Sequence, residues 1–272
     1  MKEQKTLAIA MRVRDDLECL KENIEYHTLM GVEHFFIYDH KSVLPLKEEL
    51  KEYKNVTVTR TVTWKNFHGS VDLKKCCTQN KNKFKWIAFL DVDEFLVMKD
   101  GNTDLKEFLK PYEEYGGLCV WWRNFGSSGH KKKQKSVIES YTRCSRSLGA
   151  AYKTILNTKF GNLSSNVHWC NYVEGKYGVD ENYKEIKTPV HKWKSTYLPS
   201  DKKIVINHYI FRSDEEWNDK IEKWTEPEST SRRTKSKMIR WRSNRDESTN
   251  AIKDTSILEL IKKVKEKNNK DD

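Results

Sequence analysis

Between Thr6 and Val92, short apolar runs alternate with amphipathic stretches. Thr6–Val13 is nearly continuous in apolar residues, the pattern of a buried strand. Asp16 then opens a helix whose apolar positions are Leu17, Leu20, Ile24, Tyr26, His27 and Met30, and Gly31 stops it. His34–Asp39 reads as a second strand, Leu46–Tyr53 as a helix, and Val56–Thr63 alternates as a third strand. Asp72–Asn80 suits another helix and Trp86–Val92 a fourth strand. Such a β-α-β-α-β-α-β order predicts an α/β fold with a largely parallel, Rossmann-like central sheet covered by helices. Ligands of such sheets sit beyond the carboxyl ends of the strands. Arg12–Asp16, Asp39–Ser42 and Asp91–Glu94 all fall at those ends.

The second half breaks this rhythm. After a helix at Thr103–Leu109, Leu118–Trp122 and Val137–Thr142 read as strands around a Gly/Ser/Lys loop, Asn124–Lys135. Residues 143–200 carry no clear period. Ile204–Ile206 is a short strand running into Asn207-His208-Tyr209. Ser213 and Glu216 then form a capping box that opens a helix to about Trp224. This predicts a smaller mixed β region after the parallel sheet. The expected division is a catalytic domain over 1–226 and a basic, partly helical extension over 227–272, with a weak amphipathic helix near Ile257–Val264 and a frayed end.

Charge adds one element to this picture. The formal net charge is +11, which favours anionic ligands such as nucleotide sugars, nucleic acid or membrane headgroups, although a lysine-rich solvated surface accounts for much of it. Nine Trp and twelve Tyr argue for a packed protein and against disorder. The six cysteines have no CxxC spacing and offer no zinc site; Cys19 and Cys119 read as core thiols in a reducing compartment. No apolar run is long enough to span a membrane, so the expectation is a soluble, cytoplasmic chain, or a Golgi-lumenal catalytic domain if it is cut from a longer anchored protein.

The densest chemistry lies at Trp86–Leu96, where an apolar strand ends in Asp91, Asp93 and Glu94. Alternation places Asp91 and Asp93 on one side of the chain, about 6–7 Å apart. Hard oxygen ligands at a strand end suit Mg²⁺ or Mn²⁺ holding a substrate phosphate, and a cation offsets the cost of burying these carboxylates.

With those motifs in view, the chain resembles the family 92 glycosyltransferases and their bacterial and viral relatives, of the GT-A fold, from about Leu7 to Trp224. The resemblance rests on Glu25-Tyr26-His27, Gly31 to Phe35, Tyr38-Asp39, Asp91-Val92-Asp93-Glu94-Phe95, Trp122, Phe125 to His130 and Asn207-His208-Tyr209, in that order. The family's Lys-Asn-Glu after the first strand is replaced by Arg14-Asp15-Asp16, and its Asn after Tyr-Asp by His40. The resemblance implies metal-dependent transfer of a sugar from a nucleoside diphosphate donor, by default UDP, to a glycan hydroxyl with inversion. It implies Asp93 and His208 as ligands of Mn²⁺ or Mg²⁺, with Asp91 touching the metal, its water shell or the ribose. Asp39, Arg12 and Arg14 would meet the nucleotide, while Trp122, Gly126, Ser127, Ser128 and His130 would shape the sugar or acceptor side. Inversion needs a proton acceptor. Asp180 is the first candidate, with Glu139, Glu174 and His130 as alternatives.

Two other functions compete. Arg232, Arg233, Lys235, Lys237, Arg240, Arg242 and Arg245 surround Trp241, a basic patch with an aromatic platform that suits nucleic acid. A metal-dependent nucleotidyltransferase also uses paired aspartates, but neither GxxxxGK[ST] nor GxGxxG occurs.

Overall fold

A computed structural model describes residues 4–61, 70–164, 167–186, 198–225 and 234–271. The first half alternates as expected: β1 (Lys5–Val13), α1 (Leu17–Leu29), β2 (His34–His40), α2 (Leu46–Glu49), β3 (Val56–Thr61), α3 (Ser70–Asn80) and β4 (Phe84–Phe89). Next come β5 (Glu94–Met98), α4 (Leu105–Leu109), β6 (Gly117–Asn124), α5 (Val137–Ser140), β7 (Arg143–Cys144) and β8 (Tyr152–Asn157). Four short strands follow, β9 (Gly161–Leu163), β10 (Cys170–Tyr172), β11 (Gly178–Val179) and β12 (Glu185–Ile186), then β13 (Ile204–His208). The chain continues through α6 (Asp214–Thr225), α7 (Lys235–Ser243), α8 (Asp246–Thr249), β14 (Ile252–Lys253) and α9 (Ser256–Asp271).

The central sheet has the order β12-β11-β6-β8-β4-β1-β2-β3. The pairs β4–β1, β1–β2 and β2–β3 are parallel, and β8 is inserted antiparallel between β4 and β6. β13 joins β6 in parallel and β5 in antiparallel, so it ties the sheet to the strand that follows Asp93. The carboxyl ends of β1, β2, β4, β6 and β13 therefore open on one edge, together with the amino end of β8. Leu7 to Met11 are fully buried, as a strand covered on both faces requires.

α1 packs its buried face against the segment after β4, and its polar side chains fix that segment. Asn23 Nδ2 donates to the carbonyls of Val92 (3.1 Å) and Glu94 (2.9 Å), Cys19 Sγ to Val92 O (3.3 Å), and Tyr26 hydroxyl to Leu96 O (2.6 Å). The amide of Leu96 donates to His27 Nε2 at 3.2 Å, so the His27 proton resides on Nδ1, which faces Asn23 Oδ1 at 2.8 Å. Gly31, at φ +93°, ends the helix in a conformation that other residues rarely adopt.

Several expectations change. Val137–Thr142 forms the short helix α5 followed by β7. Ser136 caps it by accepting the Glu139 amide at 3.2 Å, and Glu22 accepts the Val137 amide at 2.7 Å. The Leu46–Tyr53 helix is shorter, ending at Glu49, and β4 stops at Phe89. Asp16 stands at the N-cap of α1 but makes no side-chain cap; its carboxylate pairs with Arg212 instead. Residues 62 and 63 of the third strand lie outside the described residues. The uncalled 143–200 region holds β7 to β12. The Ser213–Glu216 capping box forms, with the Glu216 amide on Ser213 Oγ at 3.2 Å and the Ser213 amide on Glu216 Oε2 at 3.3 Å. At the C-terminal side, α9 continues to Asp271, and its Ile257, Leu260 and Val264 belong to the main core. No helix among the described residues is long and apolar enough to cross a membrane.

Candidate active site

Asp91 and Asp93 lie in the turn between β4 and β5, at the edge where the parallel strands end. The β13–β5 register sets His208 opposite Glu94, and the Tyr209 amide donates to the Asp93 carbonyl at 2.9 Å. This brings His208 Nε2 to 3.8 Å from Asp93 Oδ1. Trp122, one strand over on β6, rests its ring 4.5 Å from that of His208.

Two ammonium groups close the carboxylates. Lys153 on β8 is 1% exposed and reaches Asp91 Oδ2 at 2.8 Å and Glu94 Oε2 at 3.3 Å. Lys220 on α6 reaches Asp93 Oδ2 at 3.1 Å and is 23% exposed. Asp91 is the open member, its side chain 54% exposed. Burial works against ionisation of Asp93, but Lys220, His208 and Arg212 together hold its carboxyl below the usual range. Packing around Asp91 is likewise outweighed, first by Lys153. Glu94, fully buried, goes the other way: burial pushes it well up despite Lys153. Burial lowers His208 to about 4, so its imidazole is neutral at physiological pH.

Ionised Asp91 and Asp93 with neutral His208 make a donor set suited to Mn²⁺ or Mg²⁺. Of the two ring nitrogens of His208, Nε2 is the one that faces Asp93 and is placed to share an ion with it. The set is held open: no three His, Cys, Asp or Glu side chains among the described residues converge tightly enough to form a ready-made metal cluster. The residues therefore fit the ion in chemistry, while lysine nitrogens stand against both aspartates.

The nucleotide-side candidates meet the same edge. β1–β2 register sets Arg12 beside Tyr38 and Val13 beside Asp39. Arg12 is partly desolvated, which lowers its pKa, while Asp72 and Asp91 oppose that. Arg14 Nε lies 3.7 Å from Asp15 Oδ2. Asp39 is buried; Oδ1 accepts the Ser42 amide at 3.0 Å and Oδ2 accepts Arg60 Nη1 at 2.6 Å. It forms one wall of a cavity of about 290 Å³ with Ser42, Val43, Pro45, Val58 and Arg60. Asp39 thus shapes the cavity wall.

Gly126 to His130 follow β6 directly. They form a pinned turn rather than a loose hairpin. The Ser128 amide donates to Asn250 Oδ1 at 2.8 Å, Ser128 Oγ accepts the Arg143 amide at 3.0 Å, and buried Ser127 Oγ accepts the Gly129 amide at 3.2 Å. A Cβ on Gly126 would come within 2.5 Å of the Asn250 side chain. His130 Nε2 donates to Ser140 O at 3.1 Å.

The proton-acceptor candidates do not gather here. β11 pairs with the amino end of β6, Gly178 beside Gly117, whereas His208 pairs with Asn124 at the other end. Asp180, just past β11, therefore falls level with Cys119, toward the far, amino-terminal end of β6 and roughly 17 Å from Asn124 along the strand. Its Oδ1 is occupied by the amides of Asn182 (2.8 Å) and Lys184 (3.0 Å), the bonding of a turn-forming Asp. Glu174 is exposed in the turn after β10, near that same end; Tyr177 of this turn accepts the Gly116 amide at 2.8 Å. Glu139 is exposed on α5.

In the basic segment, Arg232 and Arg233 lie outside the described residues. On α7, Arg242 pairs with Asp214 at 2.8 Å, and Trp241 packs against Phe211 and Trp217 at 5.1 and 5.6 Å. The aromatic platform is thus built into the α6–α7 contact.

Lys153, Lys220 and Arg212 belong to no motif in the sequence. A single Lys in the buried run Tyr152–Asn157 was the available signal for the first. Lys220, next to the apolar positions Trp217, Ile221 and Trp224 of α6, was the signal for the second.

The chain is similar to a glycosyltransferase family 92 protein of Oryza sativa subsp. japonica, 29% identical over 178 residues, covering 62% of this chain and 30% of that protein. A glycosyltransferase family 92 protein of Ricinus communis is 27% identical over 226 residues, covering 79% and 37%. The chain thus spans about a third of the length of these curated relatives. Among solved structures, it is similar to S. aureus TarS 1-349, with a TM-score of 0.35, 14% identity, and coverage of 56% of this chain and 47% of that one. The family model for glycosyltransferase family 92 matches residues 9–249, and the chain belongs to that family.

Proposed function

We propose that this chain is a metal-dependent glycosyltransferase that moves a hexosyl unit from a nucleoside diphosphate sugar, UDP-linked in the first instance, to a hydroxyl of a glycan acceptor with inversion. Membership of the family supports sugar transfer. The observation that supports metal dependence is Asp93, ionised and 3.8 Å from neutral His208 at the edge where Asp91 also lies; the UDP-linked hexosyl donor and inversion follow from the family resemblance.

In this reading Asp93 and His208 hold Mn²⁺ or Mg²⁺, and Asp91 completes or orients its shell. When bound, the ion supplies positive charge against the leaving diphosphate. The protein's own groups do the rest. Lys153 keeps Asp91 ionised and fixed in direction. α1, through Asn23 and His27, holds the turn that aims both aspartates. Arg12 adds cationic charge beside Asp91 where a phosphate would lie. The cavity beside Asp39 has the volume for a nucleobase, and Trp122 offers an aromatic face next to His208 on the sugar side.

The test is turnover and binding across a panel of nucleotide sugars, with and without Mn²⁺, on wild type and Asp93→Asn. Metal-dependent release of nucleoside diphosphate from one donor, reduced at least about 100-fold in the variant, supports the reading. Release of pyrophosphate with transfer of the nucleotide would instead establish a nucleotidyltransferase. The anomeric configuration of the product decides inversion.

A further inference from the structure

The two lysines at the aspartates differ in a way that bears on how a metal enters. Lys153 is enclosed in β8, bonded to both Asp91 and Glu94, and has no room to leave. Lys220 approaches Asp93 from α6 on a flexible stem, partly exposed, with its nitrogen also 5.3 Å from the Trp224 ring. One turn on, Lys223 donates to the Asp15 carbonyl at 3.2 Å, so the same face of α6 also meets the loop after β1. The helix itself is anchored: Arg212, just before it, pairs with both oxygens of Asp16, and Trp217 and Ile221 are buried against Phe211 and Met238. A fixed helix thus presents a movable cation to the carboxylate that a metal needs.

We propose that Lys220 is an exchangeable counter-ion of Asp93: a divalent cation displaces it from the carboxylate, and the freed ammonium passes to the diphosphate of the donor. This rests on the metal-dependent reading above. A metal binding alone leaves the displaced ammonium beside a new cation and without its anionic partner, which disfavours it. A diphosphate offers the displaced ammonium a new anionic partner. Metal and nucleotide then strengthen each other's binding, and by linkage the factor is the same in both directions. Lys220 is in this sense a positioning and binding residue for the donor, acting through a group that would otherwise only neutralise Asp93.

The experiment is a Mn²⁺ titration monitored by the electron paramagnetic resonance signal of free Mn²⁺, with and without UDP. The proteins are wild type, Lys220→Met, Lys220→Arg and Lys223→Met, each checked for folding by circular dichroism. Lys220→Met should bind Mn²⁺ about tenfold more tightly in the absence of nucleotide, and UDP should then improve Mn²⁺ affinity far less than in wild type. Lys220→Arg should restore the wild-type coupling, and Lys223→Met should leave Mn²⁺ affinity without nucleotide within about twofold. Unchanged Mn²⁺ affinity in Lys220→Met, or undiminished coupling to UDP, overturns the proposal. Asp93→Asn separates the two levels: if it binds Mn²⁺ as wild type does, the metal site itself is elsewhere and the underlying reading fails.

Discussion

Acidification should loosen the turn that carries Asp91 and Asp93, through His27. This imidazole is fully buried, accepts the Leu96 amide at Nε2 and donates from Nδ1 to Asn23. Burial lowers its pKa to about 3, against 6.5 for a free histidine. The unfolded chain therefore takes up a proton as pH falls through 6.5, while the folded chain resists until about 3. Stability from this group is complete above about pH 7 and is lost progressively below it. Linkage gives about 2 kcal/mol lost between pH 8 and pH 5, with a limit near 5 kcal/mol at still lower pH. The assay is urea unfolding at pH 8, 6.5 and 5 on wild type and His27→Gln. The variant starts lower, since it breaks a buried network, but its stability should fall about 2 kcal/mol less over that range. Other buried histidines contribute equally to both proteins and cancel in the difference. Parallel pH profiles for the two proteins would refute the assignment of a neutral, buried His27.

Two further outcomes follow from packing and position. Gly126→Ala sets a methyl group against Asn250 and should cost about 1–3 kcal/mol in urea unfolding; Asn250→Ala in the same chain should recover part of that loss, because it clears the contact. Asp180→Asn keeps the oxygen that accepts the Asn182 and Lys184 amides and lies toward the amino end of β6, so kcat/KM with whichever donor the nucleotide-sugar panel selects should stay within about threefold of wild type, a fall of 100-fold or more restoring Asp180 as the base.

The parallel half of the sheet was legible because its signals are local. Buried strands, amphipathic helices and the glycine at residue 31 each announce themselves within a dozen residues. The position of the two aspartates at the sheet edge was legible for the same reason, since they follow an apolar strand, whereas His208 was singled out only through the family resemblance. Val137–Thr142 has apolar and β-branched residues that suit a strand, but Ser136 and Glu139 stand at capping-box spacing and the Ser136 cap starts a helix instead. β8 could not be placed because its partners, β4 and β6, are remote in sequence, and only that pairing turns Lys153 toward Asp91. Lys220 was hidden for a similar reason: it and Asp93 are 127 residues apart. The place of Asp180 is set by the pairing of β11 with the amino end of β6, two segments about 60 residues apart, which no local pattern announces.

β13, bonded on one side to β5 and on the other to β6, makes the candidate site a property of completed folding. Asp93 is present early in the chain, but its histidine and its movable lysine arrive only when β13 and α6 dock. Contacts of such long range form slowly relative to local helices. A ribosome-bound or partly unfolded chain would hold the two aspartates without their partners and so lack the site. On the proposed metal-dependent reading, Mn²⁺ affinity becomes a gauge of native assembly: the ion should favour only molecules in which β13 is seated, and raise their melting temperature with concentration.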